Sequence, residues 1–479
     1  MPDQSSSRRP NIVFIMSDDH AAHAISAYGS RVNETPHIDR LAREGMRLDN
    51  VFCQNALCAP SRATILTGTH SHVNGVRTLS TYFDNRQPTF VGLLRDAGYQ
   101  TAIVGKWHLG HGPDHDPRGF DHWVVLPDQG DYHNPTFFDN GVERRFDGYA
   151  TDIITDLSLS WLDSRDRTRP FCLLVHHKAP HRPWEPDEKH MHLYADTDIP
   201  LPETFHDDYA NRSEAAKAAL MRVARDLTPT DLKEPVPPGL TPEEEAYWKY
   251  QRYMKDYLRC VASVDDNVGR VLDYLDAEGL RDDTIVVYTS DQGFFLGDHG
   301  WYDKRFMYEE SLRMPFLVRY PREVPAGSVS TAMISNVDFA QTFLDFAGVP
   351  AHPRMQGRSF RPVLRGVTPD DWPQRIYYRY WEHGDGSHNV RAHYGIRTPR
   401  YKLIYYYNDG LGLPGTSSER YEPEWELFDL QTDPKEMRSV YDDPAYASVR
   451  AELTAELARL QKEIGDPPYT PSDEVDTER

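Results

Sequence analysis

Short apolar runs alternate along this chain with longer segments whose apolar residues recur every three or four positions. Four runs are nearly uninterrupted, which is typical of strands buried on both faces of a parallel or mixed sheet: 11–16, 101–104, 171–175 and 284–290. Two other segments have amphipathic helical spacing, through Ile153, Ile154, Leu157 and Trp161 and through Val261, Val264, Val268, Leu272 and Leu275. The alternation predicts a large α/β domain over residues 1–370. This domain has a large mixed, mostly parallel sheet with helices on both faces.

Beyond Pro362 the apolar residues become mainly aromatic and fall into four short runs, 376–381, 394–397, 402–407 and 425–429. One helical face follows, formed by Val449, Leu453, Leu457, Leu460 and Ile464. This pattern predicts a smaller C-terminal α+β subdomain, residues 371–479, in which one helix packs on a small antiparallel sheet. The acidic, proline-containing tail from Gly465 is expected to be a loose end.

Residues 185–250 interrupt the alternation, because proline and charged residues dominate there. Near the end of this segment, Thr241-Pro242-Glu243-Glu244 has the form of a capping box with proline at the first helical position, and it predicts a helix toward Tyr257. We interpret residues 185–250 as an insertion. Two interpretations stay open, a solvated surface excursion and a lid that contacts substrate.

Composition narrows the classes of protein. The 479 residues carry a formal net charge of −21, which argues against a nucleic-acid partner. The four cysteines form no CxxC pair, so neither a disulfide scaffold nor a zinc site is indicated. No stretch approaches the length of a membrane span, and the first ten residues lack the apolar stretch of a secretory signal. We therefore expect no membrane partner and a cytoplasmic location, which a leader trimmed before residue 1 would change to periplasmic or secreted.

The four buried runs all lead into ionisable or amide-bearing residues. Ligands of open α/β sheets bind beyond the carboxyl ends of the strands, so these residues are expected to converge. They are Asp18 and Asp19 after the first run, Lys106 and His108 after the second, His181 after the third, and Asp291 and Gln292 after the fourth.

The acidic pairs point to a metal. Asp18, Asp19, Asp291 and Gln292 offer only oxygen ligands, which suit a hard cation; Ca²⁺ is our first choice, with Mg²⁺ or Mn²⁺ possible. A single acidic pair at a strand end is more often a turn or a helix cap. Two such pairs at two strand ends, beside the Cys-x-Pro-Ser-Arg run of residues 58–62, favour a metal site.

Residues 58–68 read Cys-Ala-Pro-Ser-Arg-Ala-Thr-Ile-Leu-Thr-Gly. Pro60 suits the first turn of a helix and Gly68 suits its end, so Cys58 is predicted at a helix N-terminus. Unpaired backbone N–H groups there favour negative charge, whether on a thiolate, an alkoxide or a sulfate oxygen. The alternative for an isolated cysteine is a buried structural role.

This run resembles the signature of the type I sulfatases of the alkaline phosphatase superfamily. Further segments resemble that family in the same order: 105–110 (Gly-Lys-Trp-His-Leu-Gly), 179–181 (Ala-Pro-His), 289–293 (Thr-Ser-Asp-Gln-Gly), 297–300 (Gly-Asp-His-Gly) and 303–305 (Asp-Lys-Arg). The resemblance implies hydrolysis of a sulfate monoester. It also implies that a formylglycine-generating or other sulfatase-maturing enzyme converts Cys58 to Cα-formylglycine, whose hydrate is the nucleophile and a further metal ligand. Gln292 departs from the family, which commonly has Asn or His there.

The same resemblance implies individual roles. Asp291 would accept the proton of the attacking hydroxyl, Arg62 would orient the hydrate and brace the ligand carboxylates, and Lys106 and Lys304 would bind sulfate oxygens. His181 would protonate the leaving oxygen. His108 would take a proton from the second hydroxyl and so expel sulfate. His176, His177 and His299 are expected to be core or turn histidines instead.

The substrate is less determined than the chemistry. Segment 289–321 resembles bacterial glycan sulfatases, including those acting on 6-sulfated N-acetylglucosamine, so we expect a carbohydrate sulfatase. Trp184, His388, Arg391 and His393 are candidates for the sugar-binding rim. Two alternatives remain: a phosphonate or phosphate ester hydrolase of the same superfamily, and a non-catalytic glycan-binding relative.

Overall fold

The structure is a computed structural model that describes residues 9–30 and 32–471. Residues 1–8 and 472–479 lie outside the described residues. The expected cytoplasmic location depends in part on the first of these segments, and the second is the end of the acidic tail. Within the described ranges, no helix is both long enough and apolar enough to cross a membrane.

The described residues form seventeen strands. In chain order they are β1 (Asn11–Ser17), β2 (Met46–Phe52), β3 (Gln100–Lys106), β4 (His122–Leu126), β5 (Thr136–Asp139), β6 (Val142–Arg145), β7 (Phe171–His176), β8 (Thr284–Ser290), β9 (Phe295–Leu296), β10 (Tyr302–Asp303), β11 (Arg313–Arg319), β12 (Ser328–Ser330), β13 (Ile334–Ser335), β14 (Ile376–Tyr380), β15 (His393–Arg397), β16 (Tyr401–Tyr406) and β17 (Glu424–Asp429).

Eleven of these strands make one large mixed sheet in the order β12-β2-β11-β8-β1-β7-β3-β4-β5-β6, with β13 also paired to β2. The centre, β8-β1-β7-β3-β4, is parallel throughout, while β11 pairs antiparallel with both β8 and β2. The predicted fold class, a large mixed and mostly parallel sheet, is confirmed. All four predicted inner strands lie in its parallel centre.

Helices cover the sheet on both faces. In chain order they are α1 (Pro36–Glu44), α2 (Cys58–Thr67), α3 (Ser71–Asn74), α4 (Phe90–Asp96), α5 (Ala150–Ser164), α6 (Glu214–Ala218), α7 (Val223–Asp226), α8 (Pro229–Leu232), α9 (Pro242–Ala277), α10 (Glu309–Leu312), α11 (Phe339–Ala347), α12 (Arg361–Leu364) and α13 (Ala447–Ile464). Short 3₁₀ turns occupy Ala22–Ala24, Ser26–Tyr28, Glu188–His190, Arg281–Asp283, Asp298–Gly300, Asn336–Asp338 and Pro444–Tyr446.

Helix α9 joins two features that the sequence pattern treats separately. The capping box is present, since the Thr241 side chain accepts from Glu244 N and the Glu244 side chain accepts from Thr241 N. From there the helix runs without interruption for 36 residues and includes the apolar face at Val261 and Leu272. The predicted insertion boundary at residue 250 therefore falls inside a continuous helix.

Each inner strand divides its side chains between two apolar cores. In β1, Ile12, Phe14 and Met16 pack in the core on one face, while Val13 and Ile15 pack in the core on the other. This alternation follows from the two-residue period of a strand. Burial on both faces explains why β1 reads as a continuous apolar run.

The C-terminal strands β14-β15-β16-β17 form the predicted four-stranded antiparallel sheet. One face, including Tyr378 and Ile404, packs into the core of the large sheet, and the other face packs against Leu453 and Leu457 of α13. The small sheet is thus held between the large domain and one helix.

The expectation of a loose end from Gly465 is wrong for the part of the tail that the structure describes. Asp466 is buried, accepts from Tyr377 Oη at 2.6 Å and pairs with Arg379 Nη1 at 2.6 Å. Tyr469 stacks on Tyr407, with ring centroids 5.1 Å apart. A buried ion pair and an aromatic contact therefore anchor the chain beyond α13. The proline-containing, acidic composition of the tail does not indicate these contacts.

Candidate active site

Three carboxylates meet at the carboxyl edge of the sheet. Strands β1 and β8 are parallel and in register at Ser17 and Ser290, so the residues that follow them lie side by side. Asp18, Asp19 and Asp291 are fully buried, and each offers an oxygen within 4.8 Å of the others. Asp19 has φ of +65°, and its N–H donates to Asp291 Oδ1 at 3.2 Å. This left-handed conformation lets two consecutive aspartates contribute to one site.

The donor set fits a divalent cation. Gln292 Nε2 donates to Asp19 Oδ1 at 2.5 Å, while Gln292 Oε1 and Asp18 Oδ1 are buried without a hydrogen-bond partner among the described residues. Burial, together with repulsion from Asp18, raises the pKa of Asp291 to about 7. Burial also raises the pKa of Asp19 to about 6, against the charge of Lys304. Crowded carboxylates and unpaired oxygens are what a hard cation would stabilise.

Arg62 braces two of these carboxylates. Its Nη2 donates to Asp18 Oδ2 at 2.9 Å, its Nε donates to Asp291 Oδ2 at 3.1 Å, and its Nη1 donates to Lys106 O at 2.8 Å. Burial alone would raise the pKa of Asp18, but the charges of Lys106 and Arg62 hold it well below its usual range. The guanidinium fork therefore fixes the positions of the carboxylates as well as part of their charge.

Cys58 begins α2, and Gly68 ends it with φ of +61°, as predicted. The Cys58 Sγ lies within 4.8 Å of an oxygen of Asp18 and a nitrogen of His181. Contrary to the expectation that the helix N-terminus would favour a thiolate, burial raises the pKa of this thiol to about 12. An unmodified Cys58 is therefore protonated near neutral pH and is a poor nucleophile.

Two buried lysines flank the carboxylates. Lys106 Nζ, at the end of β3, lies 2.5 Å from Asp18 Oδ2, and Lys304 Nζ, after β10, lies 2.8 Å from Asp19 Oδ2. Asp19 and Asp303 raise the pKa of Lys304 although its burial opposes this. With Arg62 they place three cations beside three carboxylates inside a strongly acidic protein.

The two histidines with predicted roles lie in the same site. His181 Nε2 is 3.7 Å from Asp19 Oδ2, and its Nδ1 donates to Arg182 O at 2.7 Å. His108, at φ of +55°, contacts the side chain of Gln129 through Nε2 at 3.3 Å. Burial, reinforced by the charge of Lys106, lowers the pKa of both histidines well below 6.5. Both rings are therefore neutral near neutral pH in the structure as it stands.

The three histidines set aside from the site are buried around it. His176 Nδ1 lies 3.2 Å from Lys106 O and 3.4 Å from Arg62 Nη1, and His299 Nδ1 pairs with Asp207 at 2.9 Å. His177 is buried where its N–H donates to Met16 O at 2.8 Å. All three rings are buried, and the absence of a catalytic role for them stays a prediction.

Gln129 is a site residue that the sequence reasoning missed. Its Oε1 accepts from Lys106 Nζ at 2.5 Å, and its Nε2 contacts His108. It lies three residues beyond β4, which pairs in parallel with β3 so that Leu126 is opposite Lys106. Gly130 N–H donates to Pro127 O at 2.8 Å, which closes the turn that carries Gln129. A strand followed by Pro-Asp-Gln-Gly was the available signal.

A second polar cluster adjoins Lys304. His388 lies 2.9 Å from Asp385 Oδ1 through Nδ1 and 3.4 Å from Asp303 Oδ2 through Nε2. Arg305 Nη1 donates to Glu382 Oε1 at 3.1 Å. Asp303 and Arg305 both have positive φ, at 75° and 90°, so the backbone is bent sharply on either side of Lys304. The cluster brings polar groups of the C-terminal subdomain to the edge of the site.

Trp184 and His393, two of the four predicted rim residues, lie in the core instead. Trp184 is fully buried against Tyr253, with ring centroids 4.5 Å apart, and His393 is buried in a stack with Phe306. Both are core residues, because each ring packs against other buried aromatic rings. Arg391 packs over the Tyr421 ring at 3.9 Å, and its Nη1 lies 3.5 Å from Glu424 Oε1. His388 lies in the polar cluster beside Lys304, and its role in binding a sugar stays a prediction.

Comparison with known proteins agrees with the geometry. The model of the Sulfatase family matches residues 10–349, more than half of the chain. A second model, N-sulphoglucosamine sulphohydrolase, C-terminal, matches residues 297–463.

Individual proteins give the same result. The N-acetylglucosamine-6-O-sulfatase of Bacteroides thetaiotaomicron is 43% identical over 97% of this chain and 88% of its own length. The N-acetylglucosamine-6-sulfatase of Capra hircus is 29% identical over 79% of this chain and 67% of its own length. A solved structure described as a complex with its substrate D-glucosamine-2-N,6-O-disulfate superimposes with a TM-score of 0.91 at 43% identity, covering 98% of this chain and 100% of the other. The chain therefore belongs to the sulfatase family.

Proposed function

We propose that this sulfuric ester hydrolase removes the 6-O-sulfate group from a glucosamine-type sugar of a glycan. The observation that carries the proposal is the 43% identity, across nearly the whole chain, to a bacterial N-acetylglucosamine-6-O-sulfatase. The polar cluster beside Lys304 supports it, since His388, Asp303 and Arg305 offer hydrogen bonds suited to sugar hydroxyls at the edge of a sulfate site.

Sulfatase family membership implies a divalent cation and a formylglycine. We propose that Asp18, Asp19, Asp291 and Gln292 hold the cation, with the modified residue 58 beside them, and that Ca²⁺ is the ion. When bound, such a cation supplies charge stabilisation to an ionised hydroxyl or a sulfate oxygen. A maturing enzyme would convert Cys58 to Cα-formylglycine, and the hydrate of that aldehyde would supply the attacking hydroxyl. The unmodified thiol is a poor nucleophile in its place, because burial raises its pKa to about 12.

The two lysines would bind the sulfate group. An ammonium group has three N–H donors, and Lys106 donates two of them to Asp18 and Gln129. Its third donor stays available for a sulfate oxygen. Lys304 is held by Asp19 in the same way and would bind a second oxygen.

The remaining polar groups would orient and move protons. Arg62 keeps Asp18 and Asp291 in place, so that Asp291 can accept the proton of the attacking hydroxyl. His181 Nδ1–H donates a hydrogen bond to the carbonyl of Arg182, so Nε2 is the nitrogen left to act on the substrate. Nε2 would first have to take up a proton, which forms the imidazolium, before it protonates the leaving oxygen. His108 would take up a proton in the step that releases sulfate.

We also propose a role for the segment 185–250 and a division of the chain. Leu220 N–H donates to His388 O at 2.6 Å, and Tyr302 N–H donates to Met221 O at 2.8 Å. The segment thus supports the loops that carry Lys304 and His388, which favours a lid or wall of the site over a plain surface excursion. Residues 1–370 would be the catalytic domain, and residues 371–479 a subdomain that contributes His388.

One set of assays tests the proposal. Rates would be compared on 6-, 4- and 3-sulfated N-acetylglucosamine, an aryl sulfate, an aryl phosphate and a phosphonate ester. Preference for the 6-sulfated sugar is expected, while faster turnover of phosphate or phosphonate esters would favour the alternative hydrolase. Mass spectrometry of the peptide containing residue 58 should show a loss of about 18 Da. A Cys58→Ala variant with parental activity would contradict the proposal, and Cys172→Ala, in the core strand β7, is the matched control.

A further inference from the structure

The carboxamide of Gln129 lies between two residues of the site. Its Oε1 accepts from Lys106 Nζ at 2.5 Å, and its Nε2 lies 3.3 Å from His108 Nε2. Gln129 itself is only partly buried, whereas Lys106 is fully buried. One amide group therefore connects a buried cation to an imidazole ring.

The charge of Lys106 settles which way the amide points. An ammonium group only donates hydrogen bonds, so the amide atom that faces it must be the oxygen. The opposite orientation would direct the amide NH₂ at the NH₃⁺ group and lose the bond. Consequently the amide nitrogen of Gln129, a donor, faces His108 Nε2.

A donor at this position decides where the proton of His108 resides. Nε2 has to accept, so it carries no hydrogen, and a neutral imidazole then carries its one hydrogen on Nδ1. The imidazolium form is disfavoured by the same contact, because its Nε2–H would meet the amide NH₂. His108 Nδ1 is buried and has no hydrogen-bond partner among the described residues, so its N–H is available within the site.

We propose that Gln129 is a positioning residue that fixes His108 in the Nδ1–H tautomer. The inference rests on the proposed function only for its consequence in catalysis. In this tautomer the resting His108 presents a hydrogen-bond donor to a group bound in the site.

Nitrogen NMR of the protein with isotope-labelled histidine tests the tautomer directly. Signals of His108 would be identified by their absence from a His108→Asn variant. The parent is expected to carry the hydrogen on Nδ1. Gln129→Glu keeps the size and the acceptor for Lys106 but replaces the amide donor with a second acceptor, so the hydrogen should move to Nε2. A parent protein with the hydrogen on Nε2, or a Gln129→Glu variant that keeps it on Nδ1, would overturn the proposal.

Kinetics separate positioning from other roles. Gln129→Glu is expected to lower kcat at least about tenfold with KM changed less than about threefold, because His108 would then present an acceptor at Nδ1 in place of the donor that the parent presents to a bound group. The exposed Gln431→Glu change is the charge-matched control, and it should alter neither the tautomer nor the rate. A rise in KM with an unchanged tautomer would show that Gln129 contacts substrate instead, and would also overturn the proposal. An inactive parent with the Nδ1–H tautomer would count against the proposed function while leaving the tautomer assignment standing.

Discussion

Lys304 Nζ lies 2.8 Å from Asp19 Oδ2, and both side chains are almost completely buried. This pair is one of four contacts that Lys106, Lys304 and Arg62 make with the site carboxylates, since Lys106 contacts Asp18 and Arg62 contacts both Asp18 and Asp291. The carboxylates that would hold a cation are thus already charge-compensated by the groups that would hold sulfate. Removing one partner leaves the other buried and unpaired, which is costly.

Lys304→Gln should therefore damage both activity and stability. The lost ammonium removes one donor to the sulfate oxygens, and we expect kcat/KM to fall at least about 100-fold, the range seen when one charge-stabilising donor is removed. Asp19 loses its partner, so unfolding free energy in chelator should fall by about 3 kcal/mol. Steady-state kinetics and urea unfolding measure the two effects. The exposed Lys462→Gln change should leave both unaltered, and parental kcat/KM in Lys304→Gln would remove Lys304 from the sulfate site.

Cation binding should stabilise the protein through Asp291. A ligand that binds only the folded state at about 100 times its Kd adds about 2.7 kcal/mol to the free energy of unfolding. We expect Tm to rise when Ca²⁺ is added to chelated protein, and this rise to be lost in Asp291→Asn, because an amide is a weaker ligand than a carboxylate.

Differential scanning calorimetry with Ca²⁺, Mg²⁺ and Mn²⁺ in turn would give the preferred ion. Asp282→Asn, an exposed change in the turn before β8, should keep the full Ca²⁺ response. An undiminished response in Asp291→Asn would place the cation elsewhere.

His388→Ala should distinguish sugar recognition from sulfate chemistry. His388 contacts Asp385 and Asp303 at the edge of the site and is not among the residues around residue 58. We expect KM for 6-sulfated N-acetylglucosamine to rise about tenfold, corresponding to one lost hydrogen-bonding group, while the kinetics on a small aryl sulfate stay unchanged. Equal losses on both substrates would mean that His388 supports Lys304 instead. His206→Ala, an exposed histidine of the segment 185–250, is the control.

The sequence predicts the structure best where a physical rule depends on residues that are close together in the chain. Continuous apolar runs predicted the inner strands, and the rule that parallel strands deliver their ends to one edge predicted the meeting of Asp18 with Asp291. Gln129 was missed because its strand is short and its turn has no distinctive chemistry. Its role appears only once β4 is placed beside β3.

The errors concern burial, which depends on contacts distant in sequence. Trp184 and His393 are predicted at the rim but are buried. The sequence alone does not distinguish an aromatic residue in a core from one on a surface. Asp466 was assigned to a loose tail, and the partner that orders it, Arg379, lies 87 residues away. Likewise, the raised pKa of Cys58 reflects burial that a helix-terminus argument cannot supply.

Gly105→Ala should show how tightly the backbone positions Lys106. Gly105 precedes Lys106 in β3, has φ of +111°, and a Cβ built there would lie 1.9 Å from His176 O. The variant must strain its backbone and also push β3 away from β7, so a loss of at least about 3 kcal/mol in unfolding free energy is expected, with a large loss of kcat. Gly98→Ala separates the two causes, since Gly98 has φ of +97° and nothing within 4 Å of its built Cβ. It should lose only about 1–2 kcal/mol and keep its kcat. Equal losses in the two variants would assign the effect to φ alone, and the close approach of β3 and β7 would then have no part in placing Lys106.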